Sequence, residues 1–339
     1  MNARRMRASL RGWGGVGAMA VVCALAAVFA LLLPRTQSGE DAGPTGAKGT
    51  AQGYQTKAGT CVNPQNQSLS PSSGDLDGKA VREIRERGKL IVGIDQNSFG
   101  WGYRDPNSAS KNDQLKGFDI DLARAIAKDI LGDASAIIPR AVPTNKRFDA
   151  VEQGTVDMVV RTVTINCGRL DLAAFSSPYF ETGQQVLAPK VSDITGYDDS
   201  LKDKRLCSAK SSIASEQLEA DKKSGRLPGS TDISTQVPNQ LDCLVRLQLG
   251  EVDAVVTDRA LAAGQIAQDP TVRMAGQPFT KGEYYGVIMK KDGASDLVRR
   301  VNKILEEYRK DGWQKSYDDN LEKYLGTSSG PPTDFTYKK

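Results

Sequence analysis

Apolar and polar positions divide the chain into three stretches. An uncharged apolar run, Val16 to Leu33, comes first. From Arg35 to Thr60 the apolar positions lose periodicity, and Gly, Ser, Thr, Ala and Gln dominate. From about residue 80, short apolar runs alternate with amphipathic segments. Leu90 to Ile94, Ala136 to Pro139 and Val156 to Val160 read as strands, the last of them, with Asp157 set in it, as a buried one. Val81 to Arg87 reads as a short charged helix stopped by Gly88. Gly117 opens a helix running to about Leu131, with Ile120, Ala123, Ile126, Ala127 and Ile130 at helical spacing. Thr144 to Glu152 is a third helix, ended by Gly154. Asp95 to Tyr103 reads as a loop, and Leu172 to Phe180 and Gly183 to Pro189 as extended runs.

A second series follows. Arg205 to Ala209, Asp232 to Val237 and Ala254 to Val256 are predicted strands. Ser211 to Lys222, with Ser211 or Ser212 as cap, and Asn239 to Leu249 are predicted helices. Tyr284 to Met289 adds a strand, then helices run from Ser295 to Asp311 and from Trp313 to Tyr324. Strand and helix alternation of this kind builds parallel, helix-covered sheets. The first series breaks off near Gly183 and resumes after Tyr284. The expected fold is therefore α/β with two lobes joined by two crossover hinge strands. The expected division is 1–34 a signal peptide or membrane anchor, 35–79 a flexible linker, and 80–184 the first part of lobe 1. Lobe 2 then spans 185–283, lobe 1 resumes over 284–326, and 327–339 is a flexible tail.

Arg4, Arg5, Arg7 and Arg11 before the apolar run make the export pattern, and the run is just long enough to span a bilayer. A cleaved signal peptide and an uncleaved anchor over residues 16–33 both fit, and either places the body outside the cytoplasm. Cys23 follows Val22, where a lipid-attachment motif wants a small residue. The glycines at 12, 14, 15 and 17 follow no strand, so they are not a phosphate loop.

The 339 residues suit two domains, and the net charge of +4 gives no basic stripe for nucleic acid. The chain has no histidine, which removes Ser-His-Asp triads, Cys-His pairs and His-bearing zinc sites, and moves the expectation from catalysis to binding. No cofactor or metal is expected. Of five cysteines, four lie beyond the apolar run and allow three pairings. Cys207 ends a strand and Cys243 lies on the next helix of the same lobe, so these two are expected to pair, leaving Cys61 for Cys167.

Thr162, Thr164 and Arg169 sit just past the Val156 to Val160 strand, where open α/β sheets bind ligands. Two hydroxyls and a guanidinium together can hold a carboxylate. Phe99, Trp101 and Tyr103 serve either as loop packing or as a wall against a ligand's aliphatic stem. Asp119 and Asp121 are explained by helix-start chemistry.

Several segments together resemble the family 3 extracytoplasmic solute-binding proteins, amino-acid receptors of ABC importers. They are Gly117-Phe118-Asp119-Ile120-Asp121-Leu122-Ala123, Thr162 to Arg169, Phe175-Ser176-Ser177-Pro178-Tyr179-Phe180, Gly250-Glu251-Val252-Asp253-Ala254 and Tyr285-Gly286-Val287. The resemblance implies a type II periplasmic-binding-protein-like fold closing on an amino acid. It implies that Arg169, helped by Thr164, grips the α-carboxylate, and that Thr162 offers its backbone carbonyl to the α-amino group. It also implies that Asp258 pairs with the α-ammonium, and that the helix start from Lys210 to Ala214 offers donors to the carboxylate. Relatives often carry glycine near that helix start, where this chain has Ser212, Ile213 and Ala214. Thr144-Asn145-Lys146-Arg147 and Asn97 to Asp105 are similar to the glutamate/aspartate-binding branch. That likeness implies that Arg147 reads a side-chain carboxylate; Arg161 either adds a third cation or turns to solvent. Glutamine or asparagine is the alternative ligand. The expected partner is an ABC permease or, alternatively, a membrane sensor, with the receptor itself a monomer.

Overall fold

The computed structural model describes residues 61–108 and 114–338. The expected export segment, Cys23 and the tether as far as residue 60 lie outside the described residues. Among the described residues no helix is long and apolar enough to cross a membrane.

The first sheet runs β5 (Ile137–Ala141), β1 (Leu90–Ile94), β6 (Met158–Thr164), β14 (Glu283–Met289), β7 (Ala174–Phe175), with β8 (Phe180–Thr182) also on β14. β1 lies parallel to β5 and β6, and β14 is antiparallel to its neighbours. β6 is buried at all seven positions. Alternation along it feeds two cores: Met158 and Val160 face one, with Phe118, Ile126 and Leu305, while Val159 and Val163 face the other, with Val151 and Phe175. Burial on both faces explains why β1 and β6 read as near-continuous apolar runs.

The second sheet runs β11 (Asp232–Val237), β10 (Arg205–Ala209), β12 (Ala254–Asp258), β9 (Gln184–Pro189), β13 (Val272–Ala275). It too is sandwiched, with Leu206, Ala254 and Val256 in one core and Cys207, Val255 and Leu187 in the other. Apolar spacing does not reveal β13 or the helix Arg259–Gln268, whose buried face is half alanine, with Gly264 and Gln265, and gives little apolar contrast. The sequence also predicts a loop over Asp95 to Tyr103. Those residues form β2 (Asn97–Ser98) and most of β3 (Gly102–Arg104), which pair with β4 (Leu115–Lys116) in a small antiparallel sheet.

The chain crosses between sheets twice, from β8 to β9 through Gly183 and from β13 to β14. A side chain at Gly183 would meet the carbonyl oxygen of Thr280 at 2.2 Å, so only glycine lets the two crossing segments lie together.

Both expected disulfides are present: Cys207 to Cys243, joining β10 to the helix Gln240–Gln248, and Cys61 to Cys167. Two expectations need correction. Residues 61–79 are not a flexible linker and 327–338 are not a loose tail; both lie against the first lobe. The Ser68 hydroxyl donates to the Phe175 carbonyl at 2.8 Å, and the Asn302 amide donates to Ser68 Oγ and to the Leu69 carbonyl, each at 2.7 Å. The Lys338 amide donates to the Ser68 carbonyl at 2.8 Å, and Arg309 stacks over Phe335 at 4.7 Å. These attachments are mostly hydrogen bonds that involve Ser68 or the buried Asn302, which leave no apolar periodicity to read.

Candidate binding site

The site is assembled around the end of β6. Thr162 and Thr164 lie within this strand, not past its end as expected. The pairing with β14 slips here: Gly286 pairs with Val163 but Ile288 pairs with Val159. The extra residues bulge, and Thr162 takes φ of 43°, an uncommon conformation for a β-branched residue. The bulge sends the Thr162 carbonyl toward Arg147 Nη1, at 3.4 Å. The Thr162 amide is held from behind by Asp119 Oδ2 and Tyr179 Oη, both at 3.1 Å. Asp119 is thus more than a helix-start residue. Its carboxyl is fully buried, which pushes its pKa up to about 7 against the hydrogen bonds of Tyr179 and Thr162.

Arg169 follows on the short helix Cys167–Leu170, whose cap Asn166 accepts from the Arg169 amide at 2.8 Å. Its guanidinium is buried. Nη1 donates to the Thr164 carbonyl at 3.1 Å; Nη2 donates to the Ser211 carbonyl at 3.1 Å and to Glu216 Oε1 at 2.9 Å. Nε has no partner among the described residues. Ser211 and Glu216 belong to the second lobe, so Arg169 spans the cleft. Ser211 holds φ of 61°, the region where glycine is at ease.

Arg161 and Arg147 are buried next to it, 1% and 2% exposed. Arg161 does not face solvent. It pairs with Asp95 Oδ2 at 2.9 Å and donates to Thr144 Oγ1 at 2.9 Å and Asn239 Oδ1 at 3.2 Å. Thr144 is fully buried, donating its hydroxyl to Gln240 Oε1 at 3.0 Å and its amide to the Pro238 carbonyl at 3.0 Å, again across the lobes. Arg147 is different: its partners are the carbonyls of Thr144, Arg161, Thr162 and Ser211, with no carboxylate among them. Burial, then Arg169 and Arg161, hold its pKa well below the ordinary arginine value.

Opposite these cations stands Asp258, at the end of β12. Its oxygens accept from Gln184 Nε2 and, at 2.7 Å, from the Tyr285 hydroxyl, not from an arginine. Burial raises its pKa, while Arg169 and Arg147 are near enough to oppose the shift electrostatically.

Three expected site residues fall elsewhere. Trp101 is no cleft wall: its ring is fully buried among Phe118, Phe180 and Tyr285, and its Nε1 donates to the Ala260 carbonyl at 3.0 Å. The Lys210 side chain is exposed and its amide donates to the Val237 carbonyl, so it offers nothing to the cleft. Ala214 packs in the second-lobe core, and the helix Ile213–Ser224 is capped by Ser212. The sequence reading missed Glu216, Gln184 and Glu283 altogether, and gave Asp95 and Tyr285 no role. Tyr285 lies in one of the family-like segments, the one available signal.

The match to the bacterial extracellular solute-binding proteins, family 3, covers residues 90–327. The chain belongs to that family. It is 30% identical over 242 residues to the ABC transporter glutamine-binding protein GlnH of Bacillus subtilis, covering 71% of this chain and 83% of that protein. It is also 30% identical over 265 residues to the glutamate-binding protein GluB of Corynebacterium glutamicum, covering 74% of this chain and 85% of that one. Among solved structures, an ancestral arginine-binding protein bound to glutamine is similar at 33% identity with a TM-score of 0.61, over 71% of this chain and 99% of that one. Membership in a family of extracellular solute-binding proteins, a family of transport rather than catalysis, fixes the two-lobe type II fold and an extracytoplasmic setting.

Proposed function

We propose that this solute-binding protein is the amino-acid receptor of an ABC importer and that its ligand is acidic, glutamate or aspartate. In this reading Arg169, with Thr164, takes the α-carboxylate, and Asp258 and the Thr162 carbonyl take the α-ammonium. Arg147, with Thr144 behind it, takes the side-chain carboxylate. The observation that carries the reading is Arg147. Arg161 is matched by Asp95 and Arg169 by Glu216, but Arg147 meets only carbonyls. A buried guanidinium without a counter-charge is costly, and a second ligand carboxylate would relieve that cost. The unpartnered Arg169 Nε gives the α-carboxylate a donor already inside the protein. Residues 16–33 would tether the receptor to the membrane.

Glutamine is the second reading, favoured by the relatives named for it. Its neutral amide would accept from Arg147 without cancelling the charge. Calorimetric titration with glutamate, aspartate, glutamine and asparagine decides between them. The acidic reading expects glutamate or aspartate to bind tightest; tight glutamine with silent glutamate would replace it.

A further inference from the structure

We infer that Glu283 is a second acid of the ammonium site, and that it gives up a proton when an amino acid binds. This rests on the seating of the α-ammonium at Asp258. Glu283 opens β14, where the chain returns to the first lobe, and its oxygens accept from Gln184 Nε2 at 2.6 Å and from the Thr280 hydroxyl. The same Gln184 nitrogen donates to Asp258, so one side-chain amide bridges two carboxylates. Gln184 is fully buried and its Oε1 has no partner among the described residues, leaving an acceptor beside the two acids. Two carboxylates and a free carbonyl oxygen are what an ammonium group needs.

The bridge also ties the crossing segments together. The Gln184 amide donates to Thr280 Oγ1 at 2.7 Å, and the Phe279 amide donates to the Gln184 carbonyl at 2.9 Å. The groups facing Glu283 are Asp258 from β12, Gln184 from β9, Thr280 from the second crossing and Tyr285 from its own strand, with Arg169 the nearby cation. Two acids this close do not both ionise readily. Burial and then Asp258 push Glu283 up to about 7, against the hydrogen bonds of Thr280 and Gln184 and the charge of Arg169. An arriving ammonium reverses the balance by favouring both carboxylates ionised. In a chain without histidine, this pair supplies a titration near neutrality.

The test is titration with L-glutamate and with L-glutamine, both of which carry the ammonium, from pH 5 to pH 8.5, on the wild type and Glu283→Gln. Wild-type affinity is expected to rise by up to about tenfold per pH unit below neutrality and to level off above it, as one linked proton requires. Glu283→Gln is expected to lose affinity at high pH and to converge on the wild-type curve at acid pH, where Glu283 is itself neutral. Asp119 also titrates near neutrality, so the difference between the two proteins is what reports Glu283. If the variant does not fold, wild-type titration at pH 7 in two buffers of different ionisation enthalpy still counts the protons, and release of part of one proton is expected. Parallel curves for the two proteins, or no proton release, overturn the inference. Binding of neither amino acid at any pH overturns instead the seating on which it rests.

Discussion

The two sides of the cleft bury charge in opposite ways. On the first-lobe side, three buried guanidiniums lean on carbonyls and on two carboxylates. At the end of β12 and the start of β14, two carboxylates share an amide and are both raised above their ordinary pKa values by burial, Glu283 to about 7. Arginine cannot discharge at neutral pH, so it must be solvated by the protein. A carboxylate can take a proton and wait. On the proposed seating, the cationic side would set which charges a ligand must bring, and the acidic side the pH at which its ammonium is welcome.

The largest effect should come from removing a cation. Arg169→Ala is expected to weaken amino-acid binding by about 2–5 kcal/mol, since truncating one partner of a buried charge pair strands the other. That is about thirtyfold or more in Kd by calorimetry; near-native affinity would place the pocket elsewhere. Asp258→Asn attacks the other side and is expected to cost less, because Glu283 and Gln184 remain to receive the ammonium. A loss equal to that of Arg169→Ala would mean the second acid contributes nothing.

Stability should follow pH on the acidic account. Asp119 has its folded pKa raised above the unfolded value, so its contribution is fully present below about pH 4 and lost as pH rises through about 7. Urea unfolding of wild type and Asp119→Asn should therefore diverge in the variant's favour between pH 5 and pH 8.5. A constant difference across that range would show that Asp119 is ionised throughout. The smallest effect concerns the bulge. Thr162→Gly should shift stability by no more than about 1 kcal/mol, because relief of backbone strain offsets glycine's entropy. Thr164→Gly, which has no positive φ to relieve, should cost clearly more in the same melts.

Much of the scaffold was legible because it depends on apolar spacing. The runs Leu90 to Ile94 and Val156 to Val160 and the helix from Gly117 all emerge as elements. The cysteine pairs followed from the order of strands and helices. What stayed hidden depends on which way a side chain turns. The sequence leaves Trp101 open between loop packing and a wall against the ligand; its loop pairs into a small sheet that drives the indole into the aromatic core. Alternation alone left Arg161 open, and the bulge at Thr162 together with Asp95 brought it inside. Glu283 reads as an ordinary surface acid until Gly183 lets the two crossings meet.

The most direct test is a crystal structure of the protein with glutamate bound. The account predicts the α-carboxylate on Arg169, the ammonium among Asp258, Gln184 Oε1 and the Thr162 carbonyl, and the side-chain carboxylate on Arg147. A ligand whose ammonium lies away from Asp258, or whose side chain turns from Arg147, would contradict it.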